Sequence, residues 1–599
     1  MLMTSIDMTV AGLREQYRTG TLLPCACIEQ VLAAIDAADR PEVWIARMPA
    51  KVLLEQARVL DRQLHEEGAA VLERLPLFGT PFAVKDNIDV AGLPTTAACP
   101  AFAYQPQRSA AAVARLQEAG AIVVGKTNLD QFATGLVGTR SPYGAVRNAA
   151  HPERVSGGSS SGSAVAVALG LVSFSLGTDT AGSGRVPAGL NDIVGLKPTR
   201  GLVSTRGVVP ACRTLDCVSV FAQTVADAWR VLQAASGYDA LDPFSQRIPM
   251  LGVKRRGYRV AIPAQLEFYG DAAAQAAFEA SLARLRDVPN CEIVPVDFTP
   301  FREAALLLYQ GPWVAERMAA VGGFFAEQRE AMDPVVGGII EGAQRYSAVD
   351  AFNGQYRLAE LRRKAEQQLD GFDLMLVPTA PTFPTLASVA EEPVLRNSEL
   401  GHYTNFVNFF DMAALAIPAV TRADGLPFGV TLIGPRGADH LLAGAGEVFV
   451  RALRERQGGA VATPLPFAEP TVKLAVVGAH LDGQPLNWQL VERGARKLSL
   501  TRTQACYRLF ALTGTVPLKP GLQRVDDGGA AIEVEVWELP LRTFGEVVAE
   551  VPAPLGIGSL ELADGSWVKG FICEPFALQG AEEVTRHGGW RAYLASKSK

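Results

Sequence analysis

Three short segments of the sequence hold side chains that could together cleave an acyl bond. Residues 156–163 form a run of serines and glycines, and residues 177–185 place Ser183 among glycines and threonines. Lys85 ends the apolar run 82–84. A serine hydroxyl becomes a nucleophile when a neighbouring base takes its proton, and a lysine can act as that base where burial lowers its pKa. One candidate chemistry is therefore nucleophilic attack by a serine, with a lysine as the general base.

The serine and glycine run allows three other interpretations. A flexible linker has this composition, but a predicted small-residue helix and a buried strand follow it, which disfavours a linker. A phosphate-binding loop needs a lysine that the run lacks. A nucleophile elbow fits residues 158–162 with Ser160 at its centre, but Pro152 interrupts the strand that must precede it. The elbow also needs a histidine later in the chain, and none of the later histidines lies in a segment typical of a catalytic loop. These histidines are His402, His440, His480 and His587.

The elements that must position these side chains alternate between helix and strand. Residues 8–70 are predicted to be helical, with apolar residues at helical spacing over 50–67. A short strand is predicted to end at Lys85, and a helix over 110–120 precedes a buried strand over 121–125. The predicted fold class is α/β, with a mixed central sheet covered by helices.

The character of the sequence changes near its last quarter. Glycine and proline concentrate over 458–470, which indicates a linker. Beyond it, aliphatic residues over 532–536 alternate with glutamates such as Glu535, which predicts a half-exposed antiparallel strand. We therefore predict two domains, 1–465 and a smaller α+β domain over 472–599.

Composition excludes several classes of protein. The chain has 599 residues and a net charge of −6, so no basic surplus indicates a nucleic-acid partner. Eight scattered cysteines without a CxxC pair and only six histidines argue against disulfides or zinc, and we expect no metal and no cofactor. The N-terminus lacks a signal-peptide core, and the longest apolar stretch, 164–177, is too short to span a membrane. We expect a cytoplasmic protein with no membrane partner.

The three segments together resemble the motifs of the amidase signature family. The resemblance rests on residues 81–88, 157–163 and 177–183, and it covers roughly residues 10–460. It implies the amidase signature fold, with Ser183 as nucleophile, Ser159 as bridging serine and Lys85 as base. The Gly158–Ser159 peptide is then expected to be cis. The resemblance also implies an oxyanion hole made by backbone amides around the nucleophile: Thr180, Ala181, Gly182 and Ser183.

Two segments, 178–187 and 308–317, resemble the allophanate hydrolases within this family. The resemblance implies that Tyr309 and Arg317 bind a substrate carboxylate, since an arginine fork can donate two parallel hydrogen bonds to it. It also suggests the backbone near Gly135 as a pocket wall.

The region 472–599 resembles the second domain of full-length allophanate hydrolases, which has a γ-glutamyl-cyclotransferase-like fold. The resemblance implies that this domain aids decarboxylation of N-carboxycarbamate, the product of the amidase step. His480 and Glu574 are the candidate polar groups, and a structural role is equally open for each.

The implied function is hydrolysis of allophanate to ammonia and CO₂ in ATP-dependent urea degradation, by a homodimer that works with a separate urea carboxylase. Three alternatives stay open. The chain could act on another small amide, such as malonamate or a biuret-like compound, or it could be the amidotransferase subunit that acts on charged tRNA, which the acidic balance disfavours. It could also be a catalytically dead binding or scaffold protein, against which the intact Lys85, Ser159 and Ser183 argue.

Overall fold

The structure is a computed structural model that describes three stretches of the chain: 6–252, 257–454 and 471–597. The described residues divide into two units. The larger unit holds the first two stretches except 250–252, which belong with 471–597 to the smaller unit. The predicted linker over 458–470 and the predicted domain end at 465 lie outside the described residues. Within the described stretches, no helix has both the length and the apolar character needed to cross a membrane.

The strands of the larger unit join in one mixed sheet. They are β1 (Trp44–Arg47), β2 (Pro81–Lys85), β3 (Ile122–Thr127), β4 (Phe174–Asp179), β5 (Val194–Lys197), β6 (Cys217–Ala222), β7 (Tyr258–Pro263), β8 (Cys291–Val296), β9 (Leu374–Pro378), β10 (Ala413–Pro418) and β11 (Gly429–Gly434). Their spatial order is β1-β3-β2-β4-β6-β5-β10-β11-β9-β7-β8. β2 runs parallel to β3 and β4, whereas β4 and β6 are antiparallel. The predicted mixed sheet is confirmed.

Helices cover both faces of this sheet, since its central strands are buried along their whole length. The helices are α1 (Val10–Thr19), α2 (Pro24–Ala38), α3 (Ala50–Glu67), α4 (Ala70–Arg74), α5 (Ala111–Glu118), α6 (Ser161–Ala168), α7 (Val186–Leu190), α8 (Val225–Ala235), α9 (Ala272–Arg286), α10 (Thr299–Gln310), α11 (Val314–Gln328), α12 (Pro334–Glu341), α13 (Ala348–Gln368), α14 (Leu386–Glu391), α15 (Leu395–Leu400), α16 (Phe406–Phe409) and α17 (Asp439–Leu453).

The prediction of helix throughout 8–70 is wrong at one place. Trp44–Arg47 form β1, which pairs antiparallel with β3 and places Trp44 opposite Thr127. Local periodicity could not reveal this strand because its hydrogen-bond partners lie some eighty residues further along the chain.

The smaller unit is rich in strands, as predicted. They are β12 (Thr471–Val476), β13 (Arg496–Arg502), β14 (Tyr507–Ala511), β15 (Pro520–Arg524), β16 (Glu533–Pro540), β17 (Leu555–Glu561), β18 (Trp567–Cys573) and β19 (Glu582–Glu583). Five of them form a sheet in the order β13-β16-β12-β18-β17, and three form a second sheet, β15-β14-β19. The helices of this unit are α18 (Asn487–Val491), α19 (Leu541–Ala549) and α20 (Trp590–Lys597).

Glu535 differs from its predicted half-exposed setting in β16. Its side chain is fully buried, and its carboxylate lies 2.6 Å from Lys497 Nζ and 2.8 Å from Arg591 Nη2. The Trp537 indole N–H and the Asp482 backbone N–H also donate to it. Four donors compensate for the lost hydration, which is why a carboxylate can occupy a core position.

Candidate active site

Three side chains from different parts of the larger unit meet in one hydrogen-bonded series. Lys85 ends β2, Ser159 precedes α6, and Ser183 lies in the loop between β4 and α7. Lys85 Nζ lies 2.8 Å from Ser159 Oγ, which lies 2.9 Å from Ser183 Oγ. All three residues are buried, and the Gly158–Ser159 peptide is cis. The series offers a path for a proton from Ser183 through Ser159 to Lys85.

The sheet explains why residues almost a hundred positions apart come together. β2 and β4 are parallel neighbours, so their carboxyl ends lie at the same edge of the sheet. Lys85 is the last residue of β2, and Ser183 follows the end of β4 by four residues. Ser159 comes close because Gly158 leaves room: a Cβ there would lie 2.1 Å from Asp130 Oδ2.

Burial gives Lys85 the character of a base. It is fully buried, and desolvation is the main reason that its pKa falls from the ordinary 10.5 to about 7. The nearby carboxylates of Asp130, Asp216 and Asp179 oppose this change, and the charge of Arg317 adds to it. A substantial share of Lys85 is therefore neutral at neutral pH and able to accept a proton.

Thr178 was not singled out from the sequence, although it lies within the signature motif. Its Oγ1 accepts a hydrogen bond of 2.7 Å from Lys85 Nζ and one of 3.3 Å from Asn87 Nδ2. Thr178 thus holds the Lys85 amine in place by accepting one of its N–H groups. The lone pair of the neutral amine remains available to accept the proton of Ser159. Asn87 stands two positions after Lys85 on the chain, but Thr178 stands 93 positions away, so sequence spacing gives no signal of this contact.

A buried ion pair shapes the loop that carries Ser183. The Asp179 carboxylate lies 2.8 Å from Arg185 Nη2, and both side chains are fully buried. Asp179 also accepts the backbone N–H groups of Gly182 and Gly184, each at 3.0 Å. The charge of Arg185 helps to hold the pKa of Asp179 below its usual value, although burial alone would raise it. The loop is therefore closed around a carboxylate, with Ser183 at its turn.

The predicted oxyanion amides differ in whether they are free to act. The Gly182 N–H is already bonded to Asp179. Within the described residues, the N–H groups of Thr180, Ala181 and Ser183 have no hydrogen-bond acceptor. Gly182 has a φ of 137°, and a Cβ there would lie 2.4 Å from Thr404 Oγ1, so glycine is required at this position. Three amides remain available for a developing oxyanion.

Arg317 and Tyr309 lie together, as their joint prediction requires. Arg317 Nη2 donates to Tyr309 Oη at 3.3 Å, and Nη1 donates to Thr134 Oγ1 at 2.8 Å. Arg317 is 2% exposed, its Nε has no acceptor, and no described carboxylate lies within 4 Å of its guanidinium. Gly135, the predicted pocket wall, is buried, and its buried neighbour Thr134 was not among the site residues predicted from the sequence. The site therefore holds a buried cation without a bonded anion.

The smaller unit contains a cavity of about 180 Å³. His480 lines it, stacks on the Phe571 ring at 4.9 Å and lies 2.8 Å from Gln489 Oε1. Burial lowers the pKa of His480 from its ordinary value. Glu574, the other candidate, is exposed and is absent from the residues that line this cavity. Among the described residues, no group of three or more histidine, cysteine, aspartate or glutamate side chains could hold a metal ion.

Comparison with known protein families assigns both parts of the chain to known families. The family described as Amidase matches residues 26–443, and the family described as Allophanate hydrolase C-terminal domain matches residues 472–595. The chain belongs to the amidase family and is an amidohydrolase with an allophanate hydrolase domain architecture.

Individual relatives agree with this assignment. The structure of an allophanate hydrolase from Kluyveromyces lactis is 42% identical, covers 99% of this chain and 100% of its own, and superposes with a TM-score of 0.89. The urea amidolyase of Saccharomyces cerevisiae is 45% identical over 596 residues, which are 96% of this chain but 32% of that protein. A glutamyl-tRNA(Gln) amidotransferase polypeptide from Acidobacterium capsulatum is 32% identical over 449 residues, which are 70% of this chain and 93% of that one. The chain thus spans about a third of the urea amidolyases that it matches.

Proposed function

We propose that the chain hydrolyses allophanate, which is urea-1-carboxylate, at its terminal carboxamide. Neutral Lys85 takes the proton of Ser159 while Ser159 takes the proton of Ser183, and Ser183 Oγ attacks the carboxamide carbon. The proton returns through Ser159 to the leaving nitrogen, which departs as ammonia. Water then cleaves the acyl-enzyme, which restores Ser183 and releases N-carboxycarbamate.

The oxyanion of the tetrahedral intermediate is assigned to backbone amides. In this proposal the free N–H groups of Thr180, Ala181 and Ser183 stabilise it, while Gly182 keeps its bond to Asp179. A donor of this kind contributes about 3–4 kcal/mol to the transition state in a known case. Ala181 supplies the same N–H as the glycine common at this position in the family.

The observation that carries the choice of substrate is the buried Arg317. A guanidinium removed from water without a bonded carboxylate is costly, and an anionic ligand would compensate for it. Allophanate carries one carboxylate on a small planar body, and Tyr309 adds a phenolic donor beside the same guanidinium. The similarity to a K. lactis protein named allophanate hydrolase supports this substrate.

We extend the proposal to the smaller unit and to the partners of the chain. The domains are 1–465 and 472–599, and the second, of γ-glutamyl-cyclotransferase-like fold, aids decarboxylation of N-carboxycarbamate through His480 in its cavity. A separate urea carboxylase supplies allophanate from urea and ATP, and the chain acts as a homodimer in the cytoplasm. The exposure of Glu574 gives no support to a catalytic role for that residue.

Malonamate provides the sharpest test, because it differs from allophanate only in a CH₂ group that replaces the central NH. Ammonia release by the purified chain is measured on both compounds. We expect kcat/KM at least tenfold higher on allophanate and loss of both activities in Ser183→Ala. A higher kcat/KM on malonamate would make the malonamate amidase the better assignment, and full activity of Ser183→Ala would reject the serine mechanism.

A further inference from the structure

A second buried carboxylate, after Asp179, borders the nucleophile loop, which is residues 180–185 between β4 and α7. This carboxylate has no part in the proposed proton transfers. Asp216 immediately precedes β6, which pairs antiparallel with β4 and places Cys217 opposite Asp179. Asp216 is 7% exposed, and among the described residues no cation lies within 4 Å of it. A carboxylate in such a place is costly to keep unless hydrogen bonds hold it.

Three donors hold the Asp216 carboxylate. The backbone N–H groups of Ala211 and Cys212 donate to it at 2.9 and 3.2 Å. The third donor is the Thr180 hydroxyl, in close contact with Oδ1. Two of these donors belong to the local turn before β6, but Thr180 belongs to the loop that carries Ser183. The bond therefore joins the turn to the nucleophile loop.

The nucleophile loop is held from two sides by these contacts. Asp179 binds its second half through the N–H groups of Gly182 and Gly184. Asp216 binds its first half through the side chain of Thr180, whose own N–H is one of the free amides. Without the Asp216 contact, Thr180 and Ala181 have no described hydrogen bond that fixes their amides. We propose that Asp216 is a positioning residue for amide cleavage, which holds the oxyanion amides in place through the Thr180 hydroxyl.

The charge of Asp216 also acts on Lys85. Burial is the main influence on Lys85 and lowers its pKa to about 7, while the negative charge of Asp216 raises that pKa. Burial likewise raises the pKa of Asp216 to about 6, against the hydrogen bond from Thr180. The titratable and charged groups that interact with Asp216 are Lys85 of β2, Arg317 of α11, and the thiols of Cys212 and Cys217.

Thr180→Val tests the positioning role, because valine keeps the shape of threonine and removes the hydroxyl. We expect kcat for ammonia release to fall about 10- to 100-fold, the effect of losing one hydrogen bond to a charged group, with KM within about threefold. Thr180→Ser is expected to restore kcat. The matched control is Thr199→Val, which removes a hydroxyl 2.5 Å from another buried carboxylate, Asp439, away from the proton relay. A wild-type kcat in folded Thr180→Val would overturn the inference.

Asp216→Asn tests the charge, and a purely structural role would leave its readout unchanged. Asparagine can still accept from Thr180 but carries no charge, so the pKa of Lys85 is expected to fall. The acid limb of kcat/KM should move to lower pH, by about half a unit or more. An acid limb at the wild-type pH in the folded variant would contradict the account.

This inference rests on amide cleavage by Ser183, and the two can fail separately. Full activity of Ser183→Ala rejects the proposed function. An inactive Ser183→Ala combined with wild-type behaviour of Thr180→Val and Asp216→Asn rejects only the role of Asp216.

Discussion

The two units differ in how completely their candidate sites are assembled. In the larger unit, Lys85, Ser159 and Ser183 stand in a continuous series, and Thr178 and Asp179 hold its two ends. In the smaller unit, His480 has a single amide partner and a stacked ring in a largely apolar cavity. Reaction chemistry can be derived from the first site because each proton has a donor and an acceptor. The second site is a pocket whose side chains do not define a reaction, and the decarboxylation role proposed for it rests on the resemblance to full-length allophanate hydrolases.

The largest expected effect is on the larger unit. Lys85→Ala removes the base of the series, and we expect kcat for ammonia release from allophanate to fall roughly 10⁴-fold. In the wild type, the amine is protonated below its pKa of about 7 and cannot accept a proton, so activity should rise with pH through that value. A steady-state pH profile measures both. A profile that is flat between about pH 5 and 9 would remove Lys85 from the mechanism.

A smaller effect is expected where the substrate is recognised. Arg317→Met keeps the length of the side chain and removes its charge, and we expect kcat/KM on allophanate to fall about 100-fold. Labelling of Ser183 by a fluorophosphonate, which has no carboxylate to bind, should change less than threefold at about pH 9, well above the Lys85 pKa of about 7, where the charge of Arg317 no longer decides how much of Lys85 is neutral. The control is Arg329→Met, which alters an exposed arginine near the end of the same helix. Equal losses in both assays would mean that Arg317 supports the fold of the site and not the substrate.

In the smaller unit, we expect a substitution in the core to change the free energy of unfolding more than a substitution in the cavity does. Glu535→Gln removes a buried charge that faces Lys497 and Arg591, and we expect this unit to lose about 1–3 kcal/mol of unfolding free energy. Burial opposes ionisation, but the bonds from Lys497 and Arg591 hold the pKa of Glu535 below its usual value. The stabilisation is therefore present above the ordinary glutamate pKa and is lost as pH falls. Urea denaturation at pH 7 and pH 4 measures it; equal losses at both would contradict this.

The smallest expected effect on amide cleavage comes from the cavity. His480→Asn should change the initial rate of ammonia release less than twofold, while N-carboxycarbamate persists longer than in the wild type. Product analysis by ¹³C NMR distinguishes the two steps. Unchanged decay of N-carboxycarbamate would remove His480 from the second step and widen the contrast between the units.

The sequence predicted the parts of the site that lie in contiguous motifs. Lys85 at a strand end and Ser183 in a glycine-rich loop are recognisable because local constraints on backbone and burial define them. Thr134 and Asp216 were missed because their contacts depend on how distant elements pack: Arg317 reaches Thr134 across 183 positions. The order of the strands in the sheet cannot be predicted from local patterns for the same reason. The burial of Glu535 was also missed, because the alternation of apolar residues and glutamates around it is typical of a half-exposed strand.

The central claim is that Ser183 is the nucleophile and that Lys85, acting through Ser159, is the base that accepts its proton. The most direct measurement is fluorophosphonate labelling of the wild-type chain, followed by digestion and mass spectrometry to locate the adduct. We expect a single adduct on Ser183, with slower labelling in Ser159→Ala. An adduct on Ser160, the central serine of the alternative GxSxG motif, or no adduct on any serine, would contradict the claim.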